Sequence, residues 1–149
     1  MNATFKGKNT QYWNWNNFKI YWSVIGEGNT NPIIFLHGFG ASSQHWRYNL
    51  SFFAERNFAA YSLDLIGFGK SDQPGIRTIG KLDNGIWCNQ VEDFIDQVIK
   101  PKNSKKVILI GNSLGALVAL TCAVFLENKI ETVIAAPLPD EIENNKPKI

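Results

Sequence analysis

The chain has 149 residues, 44% hydrophobic and 19% charged, with a net charge of +2; those values suit one globular domain with a real core. Charges of both signs are interspersed, which points away from nucleic-acid and membrane-surface partners. Met1 to Thr10 is polar with no hydrophobic signal region, and Cys88 and Cys122 read as reduced, small apolar fillers, so a cytoplasmic protein is expected.

Trp13 to Trp15 and Phe18 to Ile25 read as two strands joined at Asn16-Asn17, since Asn tolerates the left-handed backbone of a tight hairpin. Phe18, Ile20, Trp22 and Val24 then share one face. Pro32 to Leu36 is a short continuous apolar strand of the kind buried on both faces. From Ser42 the period becomes helical, with Ser42 or Ser43 as cap and Trp46, Leu50, Phe53 and Ala54 as the apolar stripe. Phe58 to Leu63 is the next strand, followed by the glycine-punctuated loop Asp64 to Asp72. Residues 73–85 read as irregular. Trp87, Val91, Phe94, Ile95 and Val98 form a second helical stripe, with Pro101 just beyond it. Lys106 to Ile110 is a strand, Leu114 to Leu126 an apolar helix expected to be buried nearly all round, and Thr132 to Ala136 a sixth strand. Residues 1–12 and 141–149 are expected to be frayed. Gly111-Asn112-Ser113 interrupts the one run long enough to suggest a membrane span, so none is expected.

Strands alternating with helices after an opening hairpin call for an open, mostly parallel α/β sheet. Ligands bind such sheets beyond the strands' carboxyl ends. Three glycine-rich loops fall there: His37-Gly38-Phe39-Gly40, Asp64 to Ser71, and Gly111-Asn112-Ser113-Leu114-Gly115.

A serine on a sharp turn between strand and helix is a nucleophile elbow. Gly111 and Gly115 fit there because a Cβ at either place would clash as strand and helix pass. In such an elbow the N–H of Leu114 points at the oxyanion of an acyl-transfer intermediate, and the N–H of Phe39 is the expected second donor. Gly38 and Gly40 would let that loop approach the elbow. Loss of one such donor typically costs about 10²–10³ in rate.

The general base is harder to find. His37 abuts the oxyanion loop and suits orienting it; His45 begins the following helix as a surface or capping residue. Asp64 precedes the serine and suits a loop-stabilising acceptor, while Asp140 is a candidate triad acid. The expected chain order is Ser, then Asp or Glu, then His. Histidine is absent after residue 45, so these residues cannot form a complete triad in that order.

At these loops the chain resembles the α/β-hydrolase superfamily. His37 to Ser43 is similar to that family's oxyanion loop, Asp64 to Ser71 to the loop after its fourth strand, and Gly111 to Gly115 to its elbow, with Ala116 where a further glycine is frequent. The likeness spans residues 15–140 and implies a single partial domain over 1–149: the N-terminal half of the fold, truncated after the sixth strand. A finer likeness, carried by Trp87, Gln90-Val91, Phe94, the Gly-Asn-Ser elbow and Ala135 to Asp140, is to the pheophytinase-like branch of plastids and cyanobacteria. It implies cleavage of a bulky apolar ester such as a chlorophyll derivative.

The expected function is therefore a serine hydrolase of carboxylic-ester type, incomplete as this chain. The alternatives are a non-catalytic remnant or binding module, or the same fold used for acyl transfer, C–C bond hydrolysis or haloperoxidation. A small-molecule ester is the expected partner, with no cofactor and no metal. Residues 132–136 would form a bare sheet edge open to self-association or to a complementing C-terminal half.

Overall fold

The computed structural model of the chain describes residues 9–101 and 105–136. The candidate acid Asp140 and residues 141–149 lie outside them. Asn16 and Asn17 take φ of 50° and 66°, the paired left-handed conformation of a two-residue hairpin. They join β1 (Asn9–Trp15) to β2 (Phe18–Ile25) in an unbroken antiparallel ladder from Asn9↔Val24 to Trp15↔Phe18. β1 thus starts earlier than Trp13, and residues 9–12 are paired strand rather than frayed end. Tyr12 stacks edge-on against Tyr21 across that ladder at 5.5 Å.

β3 (Asn31–Leu36), β4 (Phe58–Leu63), β5 (Val107–Asn112) and β6 (Ile130–Ala136) complete a six-stranded sheet in the order β1-β2-β4-β3-β5-β6. β2 runs antiparallel to β4; the contacts β4–β3, β3–β5 and β5–β6 are parallel. Leu36 lies level with Leu63 on one side and Gly111 on the other. Three parallel strands therefore end together, and the three glycine-rich loops leave the sheet at one edge.

Alternation along β3 divides the core. Ile34 and Leu36 face the larger apolar cluster, under α3 (Asn84–Phe94) and α4 (Leu114–Phe125), with Trp22, Val91, Phe94, Leu109 and Val118. Ile33 and Phe35 face a smaller one, under α1 (Arg47–Ala54), with Trp46, Leu50 and Ile110. Each such fully buried side chain contributes about 1.5–3 kcal/mol relative to exposure.

Ser42 is the cap before α1: its Oγ accepts the Gln44 N–H at 3.4 Å, and a 3₁₀ turn over Ser43–Trp46 leads into the helix. A single helical turn, α2 (Ile76–Ile79), interrupts the stretch expected to be irregular. α3 begins at Asp83, whose carboxylate accepts the Ile86 N–H at 3.1 Å. It closes in a wide turn over Ile95–Ile99, where the Lys100 N–H reaches back to the Ile95 carbonyl.

α4 departs most from expectation. Its inner side, with Ala116, Val118, Ala119 and Cys122, is buried, but Leu120, Val124 and Phe125 are exposed, the last two by 72% and 75%. The helix is apolar all round because its sequence is, yet α3, β5 and β6 cover it on one side only. Beside it, β6 is the outermost strand, and its Ile134 is 47% exposed.

Candidate active site

β5 hands the chain to α4 through Ser113, which sits at φ 53°, ψ −115°. A left-handed φ on a non-glycine residue carries a local cost of order 1–3 kcal/mol, and the surrounding structure must hold it. The Ser113 N–H donates to the Ala136 carbonyl at 3.2 Å, and the Ser113 carbonyl accepts the Ala116 N–H at 2.9 Å. On either side the packing excludes side chains. A Cβ on Gly111 would overlap the Gly115 carbonyl, and one on Gly115 would overlap the Leu36 carbonyl. Strand and helix cross at backbone contact, which forces the sharp turn.

The Ser113 side chain makes no capping bond to α4. Its Oγ is therefore not committed to the helix whose N-terminus lies next to it, where the backbone dipole favours negative charge. The loop after β3 comes up against it: a Cβ on Gly38 would stand 3.3 Å from the Ser113 Cβ and 3.3 Å from Asn112 Nδ2. Gly40 has a different reason to be glycine. It adopts φ 67° with open space around it, so backbone conformation rather than close approach to the elbow accounts for it. Among the described residues, neither the Phe39 N–H nor the Leu114 N–H donates to a protein acceptor.

Buried polar groups hold the loops in place. His37 is fully buried. Its Nε2 accepts the Leu65 N–H at 3.0 Å, so the ring proton sits on Nδ1, which donates to the Gly38 carbonyl at 2.8 Å. Burial holds the imidazole below its ordinary 6.5, and the Gly38 bond and the Asp64 charge offset this only in part. With both nitrogens engaged, His37 links two loops and has no free lone pair for a serine proton. His45 is exposed on the 3₁₀ turn, edge-on to Trp46 at 4.8 Å, and does not cap it.

Asp64 is also buried, and both its oxygens accept backbone donors: Oδ1 from Ser43 at 2.6 Å and Oδ2 from Lys70 at 2.7 Å. Its carbonyl accepts the Ser71 hydroxyl at 2.6 Å. The carboxylate thus ties the end of the His37 loop to the loop after β4.

Gln90 extends the same scaffold. It is fully buried on α3, and its Oε1 accepts the Ile66 N–H at 3.0 Å while the Ile66 carbonyl accepts the Trp87 indole at 3.0 Å. Gln90 is not among the site residues expected from the sequence. The available signal was an amide on the apolar face, three residues after Trp87 and four before Phe94. Cys88 and Cys122, distant in sequence, are both buried, and their thiols meet between α3 and α4.

The assembled parts are a serine on a strained strand–helix turn, the N–H groups of Phe39 on the loop after β3 and of Leu114 at the start of α4, which donate to no acceptor among the described residues, and a neutral buried histidine that braces the loop after β3. Such a set can present a hydroxyl to a carbonyl carbon and hydrogen-bond the oxygen that becomes charged. Residues 33–147 match the alpha/beta hydrolase family.

The chain belongs to that family.

Among curated relatives, this alpha/beta hydrolase is 31% identical over 115 residues to the pimeloyl-[acyl-carrier protein] methyl ester esterase of Wigglesworthia glossinidia brevipalpis, covering 77% of the chain and 39% of the relative. It is 27% identical over 121 residues to human epoxide hydrolase 4, covering 81% of the chain and 32% of the relative. The chain therefore spans two fifths or less of the curated relatives' length. Potato epoxide hydrolase I superposes with a TM-score of 0.80 at 22% identity, over 94% of this chain and 43% of that one. That likeness shows the shared fold. No helix among the described residues is long and apolar enough to cross a membrane.

Proposed function

We propose that this alpha/beta hydrolase carries the nucleophile half of an ester-cleaving site, with Ser113 attacking the ester carbonyl and the N–H groups of Phe39 and Leu114 receiving the oxyanion. The observation that carries the reading is the strained turn at Ser113 beside the Phe39 and Leu114 N–H groups, which donate to no acceptor among the described residues. A carbonyl that gains negative charge needs such donors in place before reaction, where they require no reorganisation. The esterase among the relatives supports an ester substrate. The likeness read from Trp87, Gln90 and the elbow favours an ester with a bulky apolar part.

The base and acid are supplied from outside the described residues. Both His37 nitrogens are engaged, His45 is exposed beside Trp46, and the sequence has two histidines in all. An imidazole that accepts the serine proton is therefore expected from beyond the described residues, and the edge of β6 with the outer side of α4 is where further polypeptide would pack. Turnover by this chain alone is expected to be slight.

The second reading, a non-catalytic remnant or binding module, is favoured by that engagement of His37. A fluorophosphonate probe separates the two. Labelling that maps to Ser113 and disappears in Ser113→Ala supports the nucleophile; labelling no greater than that of Ser113→Ala supports the remnant.

A further inference from the structure

The Ser113 loops leave the sheet at the carboxyl ends of its parallel strands; a cavity of about 260 Å³ lies at the opposite, amino ends of β3 and β4. Pro32 and Ala59, paired as the second residues of those strands, form its floor, with Tyr61 farther along β4 on the same face as Ala59. Leu36, where the loop after β3 departs, is roughly 13 Å along the strand from Pro32. Ile99 makes one wall, and the exposed Lys100 and Lys105 stand at the rim.

Tyr61 is only 8% exposed and lines this cavity, yet its hydroxyl donates to no acceptor among the described residues. Its ring is fixed, tilted against Trp22 at 6.1 Å and edge-on to Phe94 at 6.0 Å. Burial and the charge of Glu27 hold the phenol above its ordinary 10.0, so at neutral pH it is a donor. Lys100 closes the wide turn after α3 at φ 46°, ψ 63°. Among the described residues five non-glycine residues take positive φ; three are Asn, which tolerates it, and the others are Ser113 and Lys100. A glycine would close this turn without strain, so a lysine there keeps an ammonium group at the rim at a conformational cost. Lys105 donates to Asn31 Oδ1 at 3.1 Å, which uses one of its three N–H groups. Neither lysine is in an ion pair among the described residues.

We propose that this cavity binds a small organic monocarboxylate: Lys100 and Lys105 supply the counter-charge, Tyr61 a hydrogen bond, and Pro32, Ala59 and Ile99 the surface for an apolar body. A single negative charge is the match. Two ammonium groups face the ligand, and Glu27, which acts on Tyr61 at the same end of the sheet, offsets one of them, so a phosphate dianion is opposed more strongly than a carboxylate. The buried floor favours a ligand with apolar surface to cover it over a bare anion. The site lies apart from Ser113 and does not depend on the ester-cleaving reading.

The test titrates the full chain with benzoate by ligand-observed NMR, with benzamide and inorganic phosphate as comparisons. Benzoate is expected to saturate the site below about 10 mM and to bind at least about tenfold more tightly than benzamide, which keeps the ring without the charge. Tyr61→Phe removes only the hydroxyl, and Lys100→Gly suits the left-handed turn, so both variants fold. Each is expected to weaken benzoate binding about fivefold to tenfold, and Lys100→Arg to retain it. Absence of saturation, or equal affinity for benzoate and benzamide, overturns the proposal. Phosphate binding as tight as benzoate also overturns it, since a bare charge would then suffice. So does benzoate binding that survives both Tyr61→Phe and Lys100→Gly, which would place the ligand elsewhere.

Discussion

The imidazole of His37 accepts the backbone N–H of Leu65 at 3.0 Å, and this bond joins the loop after β3 to the loop after β4. It fixes the ring as the neutral Nδ1–H tautomer, because a protonated Nε2 would turn a donor toward a donor.

A pH dependence of stability follows from the burial of this ring. Burial lowers His37 from its ordinary 6.5, so in the range between the folded value and 6.5 the unfolded chain binds the proton and the folded chain does not. Stability then rises with pH. The contribution is fully present above 6.5 and is lost as pH falls from 6.5 through the depressed folded value. Urea midpoints measured at pH 8, 6 and 5 should fall in that order, and the fall should be smaller in His37→Gln. Equal falls in both proteins would show that other groups carry the acid sensitivity.

Asp64→Asn replaces an oxygen that accepts a backbone N–H by an amide donor. A hydrogen bond to a charged group is worth about 1.5–3 kcal/mol, and both Asp64 oxygens are so engaged. The variant should lose about that much by urea unfolding, and Ser113 labelling should slow because the loop after β3 is anchored through Ser43. Unchanged stability would mean that neighbouring bonds hold the loops without the carboxylate.

Gly115→Ala drives a methyl group into the Leu36 carbonyl. The expected loss is about 3 kcal/mol, since the crossing of strand and helix cannot widen without moving the parallel core. A urea midpoint close to that of the unaltered chain would show that the elbow is looser than its geometry implies.

The outer side of α4 and β6 expose Val124, Phe125 and Ile134, and among the described residues no strand pairs with the outer edge of β6. Such surfaces promote association. The chain should associate at high concentration by light scattering coupled to size exclusion, and Phe125→Lys with Ile134→Lys should return it toward a monomer. A monodisperse monomer without the substitutions would contradict this.

The strands and most helices were legible because their signals are local. Asn16-Asn17 encodes the hairpin turn, the continuous apolar run Pro32 to Leu36 encodes a doubly buried strand, and Trp87, Val91 and Phe94 mark one helical face. The start of β1 was not legible, because Asn9, Thr10 and Gln11 are polar residues on an edge strand and show no apolar alternation. The burial of α4 was misread because an all-apolar helix gives no clue to which side is covered. At the site, the residue types of the elbow and its neighbouring loop could be read from spacing. The engagement of both His37 nitrogens and the two bonds to Asp64 depend on where three loops meet, which no local pattern encodes.

Ser113 is proposed as a nucleophile for which neither His37, with both nitrogens engaged, nor the exposed His45 serves as base. The most direct measurement is the rate of Ser113 labelling by a fluorophosphonate at neutral pH, with and without added imidazole, located by peptide mass spectrometry. Slow labelling at Ser113 that free imidazole accelerates and Ser113→Ala abolishes is the expected result. Fast labelling indifferent to imidazole would contradict it, because the chain would then contain its own base.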